Sequence, residues 1–170
     1  MTTQCNVCLG AVAFWIAFTV TDASAQQFMP TGRDTLRGLP GVEVVVEPLT
    51  ADLARDGLSA AALKTSVEGV LRSNGVPMYA TQAANPSPAK PYVYVQVTGL
   101  ALPREGHVLS LQVQLRQTLR SLVTGSAIVN AMTWDQQTVV FLPAGGGMQA
   151  VHGEVQSLID EFVQDWGRVH

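Results

Sequence analysis

The stretch that decides the fold is Pro91–Leu100, "PYVYVQVTGL", taken together with Leu109–Arg116, "LSLQVQLR". In the first, Val93, Val95 and Val97 alternate with Tyr92, Tyr94, Gln96 and Thr98. In the second, Leu109, Leu111, Val113 and Leu115 alternate with Ser110, Gln112, Gln114 and Arg116. A period of two with one apolar and one polar set is the pattern of a strand half-buried in a sheet. The intervening "PREGH", Pro103–His107, has Pro at its start and Gly where a positive φ is needed, so the two strands form an antiparallel pair. Thr124-Gly125-Ser126 supplies a second turn, after which Ala127 to about Phe141 returns as one long strand or two. The centre of the chain therefore reads as an antiparallel meander.

Helical periodicity brackets this meander. Towards the C-terminus, Met148, Val151, Val155, Leu158, Phe162 and Trp166 form one apolar stripe at steps of three and four. Upstream, Leu63, Val67, Val70 and Leu71 share a helical face, with Ser59 as N-cap, Leu58 and Leu63 as a hydrophobic staple, and Asn74-Gly75 as the stop. "GVEVVVEPL", Gly41–Leu49, is rich in β-branched residues and reads as a mostly buried strand ended by Pro48. Thr50–Gly57 reads as a polar connection, and the short apolar piece Val76–Ala80 as the second strand of a right-handed βαβ unit. "AANPSPAKP", Ala83–Pro91, has three prolines in nine residues and must be a loop. The expectation is an α+β protein: a two-layer α/β sandwich in the order β-α-β-β-β-(β)-α, a mixed sheet with two helices on one face.

The N-terminal residues are of another kind. Val7–Val20, "VCLGAVAFWIAFTV", is an uncharged apolar run followed by Ala23-Ser24-Ala25, the pattern of a secretory signal with a small-x-small cleavage site. Its 14 residues fall short of the roughly 20 that span a membrane, so no stable membrane insertion is expected after cleavage. The segment "MTTQCN" ahead of it carries no Lys or Arg, which departs from the usual signal. The organisation expected is a signal peptide over 1–25, a flexible Gly- and Pro-containing leader over 26–40, and a single domain over 41–170, periplasmic or secreted. Both cysteines, Cys5 and Cys8, fall in the removed segment, so disulfides and thiol chemistry drop out. Beyond residue 25, ten basic residues face twelve acidic ones, a net charge of −2 without clusters. Nucleic-acid binding needs a basic footprint that is not present.

The phrases "LPGVEVVVEPL", "GLSAAALKTSVEGVLRSNGV", "PYVYVQV", "LSLQVQLRQTL", "TW" and "VQSLIDEFVQDW" make the chain similar to small exported bacterial proteins of unknown function. The order of elements also resembles the N-terminal domain of the Tol-Pal β-propeller protein and the outer-membrane lipopolysaccharide-assembly lipoprotein. The resemblance covers about Leu39–Trp166 and implies an envelope location and this fold. It transfers no catalytic residue.

Reactive constellations are sparse. His107 sits in a turn, His152 on a helix flank and His170 at the end, without metal-ligand spacing, and no serine lies in a G-x-S-x-G elbow. Asp160, Glu161 and Asp165 read as a solvated helix face. The expectation is a protein with no catalytic residues, no metal and no cofactor. "AGGGMQ", Ala144–Gln149, places three glycines before the last helix, but without the Lys-Ser or Lys-Thr pair of a phosphate loop it reads as the hinge that lets that helix dock. The polar sheet face is the candidate binding surface, formed by Tyr92, Tyr94, Gln96, Gln112, Gln114 and Arg116, since tyrosine and arginine favour interfaces. The same residues also fit a solvated sheet stabilised by cross-strand pairs. Trp134 belongs either to that face beside Met132 or to the core. The function expected is binding or assembly of an envelope protein partner. The alternative is a small-ligand-binding protein or hydrolase with its site near Trp134 and the Gly145–Gly147 loop.

Overall fold

A computed structural model describes residues 32–170. The proposed signal segment, 1–25, and the first residues of the proposed leader lie outside the described residues. Four strands, β1 (Glu43–Val46), β2 (Tyr92–Leu102), β3 (Gly106–Arg120) and β4 (Ala127–Pro143), form one sheet in the order β1-β2-β3-β4. β1 runs parallel to β2, and the other pairings are antiparallel, so the sheet is mixed and the fold is α+β. Helices α1 (Ala51–Arg55), α2 (Ala60–Ser73) and α3 (Gln149–Gly167) complete it. Among the described residues no helix is long and apolar enough to cross a membrane.

The sheet's alternation decides which side the helices cover. Val93, Val95 and Val97 of β2 and Leu109, Leu111, Val113 and Leu115 of β3 are buried in one cluster with Leu63, Val67 and Leu71 of α2 and Val151, Val155, Leu158 and Phe162 of α3. Ile159 joins them although it lies beside the stripe read from the sequence. Each such side chain taken fully out of water contributes about 1.5–3 kcal/mol relative to exposure. α2 starts as its sequence requires, with Ser59 Oγ accepting from the Ala62 amide at 3.3 Å.

Three local expectations are corrected. Val76–Ala80 is not a strand of the sheet: it makes one parallel bridge, Met78 to Val42, fixed by Val42 N–H to Pro77 O (3.0 Å) and Tyr79 N–H to Val42 O (2.9 Å). Pro77 has no N–H, so a longer ladder cannot form there, and β1 takes its parallel partner from β2. The polar connection Thr50–Gly57 holds the one-and-a-half-turn helix α1, which forms because Leu53 can be buried against the core. The leader is structured from residue 32 on: Gly32–Leu36 is a 3-10 turn that buries Leu36 completely and packs on β4 and α3. Two leucines in a glycine- and proline-bearing stretch, Leu36 and Leu39, give no periodicity, yet the full burial of Leu36 is enough to dock the turn.

β4 is one strand, not two, but it is irregular. The register steps between Leu115↔Trp134 and Arg116↔Met132, so Thr133 is an extra residue, and a second step falls between Gln117 and Leu119. Such bulges bend a strand and reverse the side-chain parity beyond them.

Candidate functional site

The six polar-face residues come together. In register they form three cross-strand rows, Tyr92 opposite Arg116, Tyr94 opposite Gln114 and Gln96 opposite Gln112, all on the side away from α2 and α3. The Arg116 guanidinium lies over the Tyr94 ring, 4.0 Å from its centroid, and Arg116 Nε donates to Gln114 Oε1 at 2.7 Å. Tyr92 meets Tyr94 edge-on, with ring centroids 6.3 Å apart, and its hydroxyl donates to Asn130 Oδ1 at 3.2 Å. Tyr92 and Gln114 are buried by these neighbours, while Tyr94, Gln96, Gln112 and Arg116 stay half-buried.

β1 extends the face with residues the sequence reading passed over. Glu43 lies opposite Tyr92 and Val45 opposite Tyr94, which puts Glu43, Val45 and Glu47 on the polar side. The period-two signal was present in "VEVVVE" but was masked by Val45, which makes the run look buried on both sides. The Tyr94 hydroxyl is held above its ordinary pKa of 10.0, first by burial and then by its hydrogen bond to the Glu47 carboxylate and that group's charge; Arg116 opposes the shift. Burial likewise raises the Glu43 carboxyl, against the charge of Lys64 and a backbone hydrogen bond from Gln82. Glu43 Oε2 and Glu47 Oε2 are each shut off from solvent without a hydrogen-bond partner, although both side chains as a whole are half-buried.

The other end of the face is apolar. Leu100, Val108 and Phe141 stand in one row across β2, β3 and β4, and Thr98, Ser110 and Val139 in the next. Leu100, Phe141 and Val139 keep 64, 55 and 69% of their surface exposed. The same alternation could have found Leu100, but Val139 and Phe141 needed the register of β4.

Trp134 does not belong to this surface. It pairs with Leu115 and therefore points to the helices, where its ring meets Phe162 edge-on at 5.1 Å and 83°, and it is buried. Met132, two residues away, pairs with Arg116 on the open face because of the extra Thr133. The alternative site near Trp134 and the glycine loop is also divided. Trp134 borders a cavity of about 420 Å³ with Gly32, Arg33 and Asp165, whereas Gly145 and Gly146 border one of about 410 Å³ with Asp56, Arg104 and His107. In the latter, His107, expected in a turn, is the second residue of β3, and its Nε2 lies 2.9 Å from Oδ2 of Asp56, the C-cap of α1, a pairing that sequence spacing does not reveal. Among the described residues no three His, Cys, Asp or Glu side chains converge as metal ligands do.

Comparison with known proteins gives little. No family model and no curated protein matches the chain, and the likeness to the Tol-Pal propeller's N-terminal domain gains no support from them. Among solved structures, the chain is similar to the crystal structure of a minor lipoprotein from Acinetobacter baumannii, at 15% identity and a TM-score of 0.31, over 76% of this chain and 91% of that one. A likeness of that size decides neither fold nor function.

Proposed function

We propose that this chain is an exported, non-catalytic protein of the bacterial envelope whose open sheet face binds a protein partner. Export is supported by the apolar run Val7–Val20 and the Ala23-Ser24-Ala25 site that follows it. The observation that carries the binding reading is the composition of one uncovered face: the exposed side chains of Leu100, Val139 and Phe141 share it with the Tyr94–Arg116–Gln114 network, and the row of Gln96 and Gln112 lies between the two groups. Apolar anchors on the same face as a held arginine and tyrosine are residue types that interfaces favour. Arg116 and Tyr94 already restrain one another, so little rotamer freedom is left to lose on association.

Co-purification from envelope extracts tests the reading, with the native chain beside Tyr94→Ala, Arg116→Ala and Phe141→Asp. Loss of one specific companion in these variants, with melting temperature little changed, is the expected result. Recovery of the same companions from all four would remove this face as the binding surface.

A further inference from the structure

The β3–β4 hairpin reaches past the sheet. β2 pairs with β3 only as far as Arg116, and among the described residues the last backbone hydrogen bond to the hairpin from the rest of the domain is Thr118 N–H to Ala89 O. From Thr118 the strand runs on to Arg120, about 7 Å at the rise of a strand, and the Ser121–Ser126 turn follows. Everything from Leu122 to Asn130 is exposed, with Leu122 and Val123 fully so at the tip and Leu119, Ile128 and Val129 along the arms. Solvent-facing hairpin tips ordinarily carry small polar residues, and Leu122 and Val123 at this tip depart from that pattern.

Charge points in the same direction. From Gly106 to Trp134 there is no Asp or Glu, although the chain has 13 of them, and Arg116 and Arg120 are the charged residues of that stretch. Arg120 is exposed next to the tip, with Nη1 donating to Gly125 O at 3.3 Å. An apolar tip flanked by cation, with acid excluded for 29 residues, is complementary to the anionic headgroup layer of a membrane: the apolar ends enter the acyl boundary and the guanidinium stays with the phosphates.

The geometry points to the Ser121–Ser126 turn as a peripheral membrane contact that inserts Leu122 and Val123 into an anionic lipid surface. This is a reversible contact of a hairpin tip, not a spanning segment. Its residues are separate from those of the open sheet face, so either reading can fail alone.

The test is co-sedimentation of the protein, purified as the cell exports it, with phosphatidylcholine vesicles with and without phosphatidylglycerol. Native protein is expected to bind the phosphatidylglycerol vesicles in a salt-sensitive way. Leu122→Asp with Val123→Asp should weaken that partition about tenfold or more, and Arg120→Gln about fivefold at low salt. Because Leu122 and Val123 are 102 and 94% exposed, the melting temperature should be unchanged; Leu122→Ser with Val123→Ser gives the same comparison without added charge. Binding that is absent in the native protein, or equal in the tip variants, overturns the inference. So does a native dimer that the tip variants dissociate, which would make the tip's partner a second copy of the chain.

Discussion

The indole N–H of Trp134 donates to Asp165 Oδ2 at 3.1 Å, and the other oxygen of that carboxylate, Oδ1, accepts from Arg168 Nη1 at 3.0 Å. One carboxylate on the last turns of α3 thus ties the helix to the middle of β4, while the indole ring is pressed edge-on against Phe162. Two contributions can be separated by substitution. Trp134→Phe keeps most of the apolar contact and loses the hydrogen bond, for an expected cost of about 1–2 kcal/mol. Trp134→Ala also opens a cavity and should cost about 3–5 kcal/mol. Urea unfolding of both variants measures the difference; equal losses would mean that the bond to Asp165 carries no stability.

Leu36 anchors the 3-10 turn ahead of β1, and the neighbouring Thr35 Oγ1 lies 2.6 Å from Gly32 O and 3.1 Å from Thr133 O, the carbonyl of the extra residue in β4. The turn therefore shields the irregular part of an edge strand that would otherwise offer an unpaired carbonyl. Leu36→Ala is expected to lower stability by about 2–5 kcal/mol and Thr35→Val by about 1 kcal/mol. If Leu36→Ala unfolds at the native urea midpoint, the turn is a passive tail.

The elements legible in the sequence are those that meet the core along a whole face. β2, β3, α2 and α3 each have one buried side, so their periods of two and 3.6 survive in the order of residues, and the six-residue polar face follows from them. The side taken by Trp134 was not legible. Met132 and Trp134 are two apart and by period share a face, but Thr133 is inserted between their partners and sends them to opposite sides. A bulge is decided by register against another strand, and no local residue announces it. The buried docking of Leu36, the reach of Asp56 to His107 and the strand-like but single bridge at Met78 are likewise tertiary events. Propensity is silent on them because each depends on one contact rather than on a repeated pattern.

The three consecutive glycines are not equivalent. Gly145 has φ +80, a conformation that costs an L-residue about 1–2 kcal/mol. Gly146 lacks room instead: a Cβ there would sit 2.8 Å from Pro143 O and 3.0 Å from Leu142 Cδ1. A Cβ on Gly147 meets nothing within 4 Å and its φ is ordinary. Gly145→Ala and Gly146→Val should both lower the melting temperature, Gly146→Val more, while Gly147→Ala should leave it unchanged or raise it through a less flexible unfolded chain. Thermal unfolding of the three variants decides the matter, and a destabilised Gly147→Ala would contradict this division of roles.

Tyr94 gives the open face a pH signature. Its phenol is held above 10.0 by burial first and by Glu47 second, so the folded protein keeps the proton to a higher pH than the unfolded chain does. A group whose folded pKa is raised contributes stability that is fully present below its unfolded value and is lost as pH rises through its folded value. The loss therefore begins near the ordinary tyrosine pKa and is complete once the pH passes Tyr94's folded midpoint. Tyr94→Phe should remove this alkaline component from the stability profile. In absorbance titration, the difference between native protein and Tyr94→Phe isolates one phenol, with a midpoint above 10.0. Glu47→Gln should lower that midpoint without restoring the free value, since burial, the larger cause, remains. A difference titration centred at or below 10.0 would mean that Tyr94 is not enclosed by Glu47 and Arg116 as described.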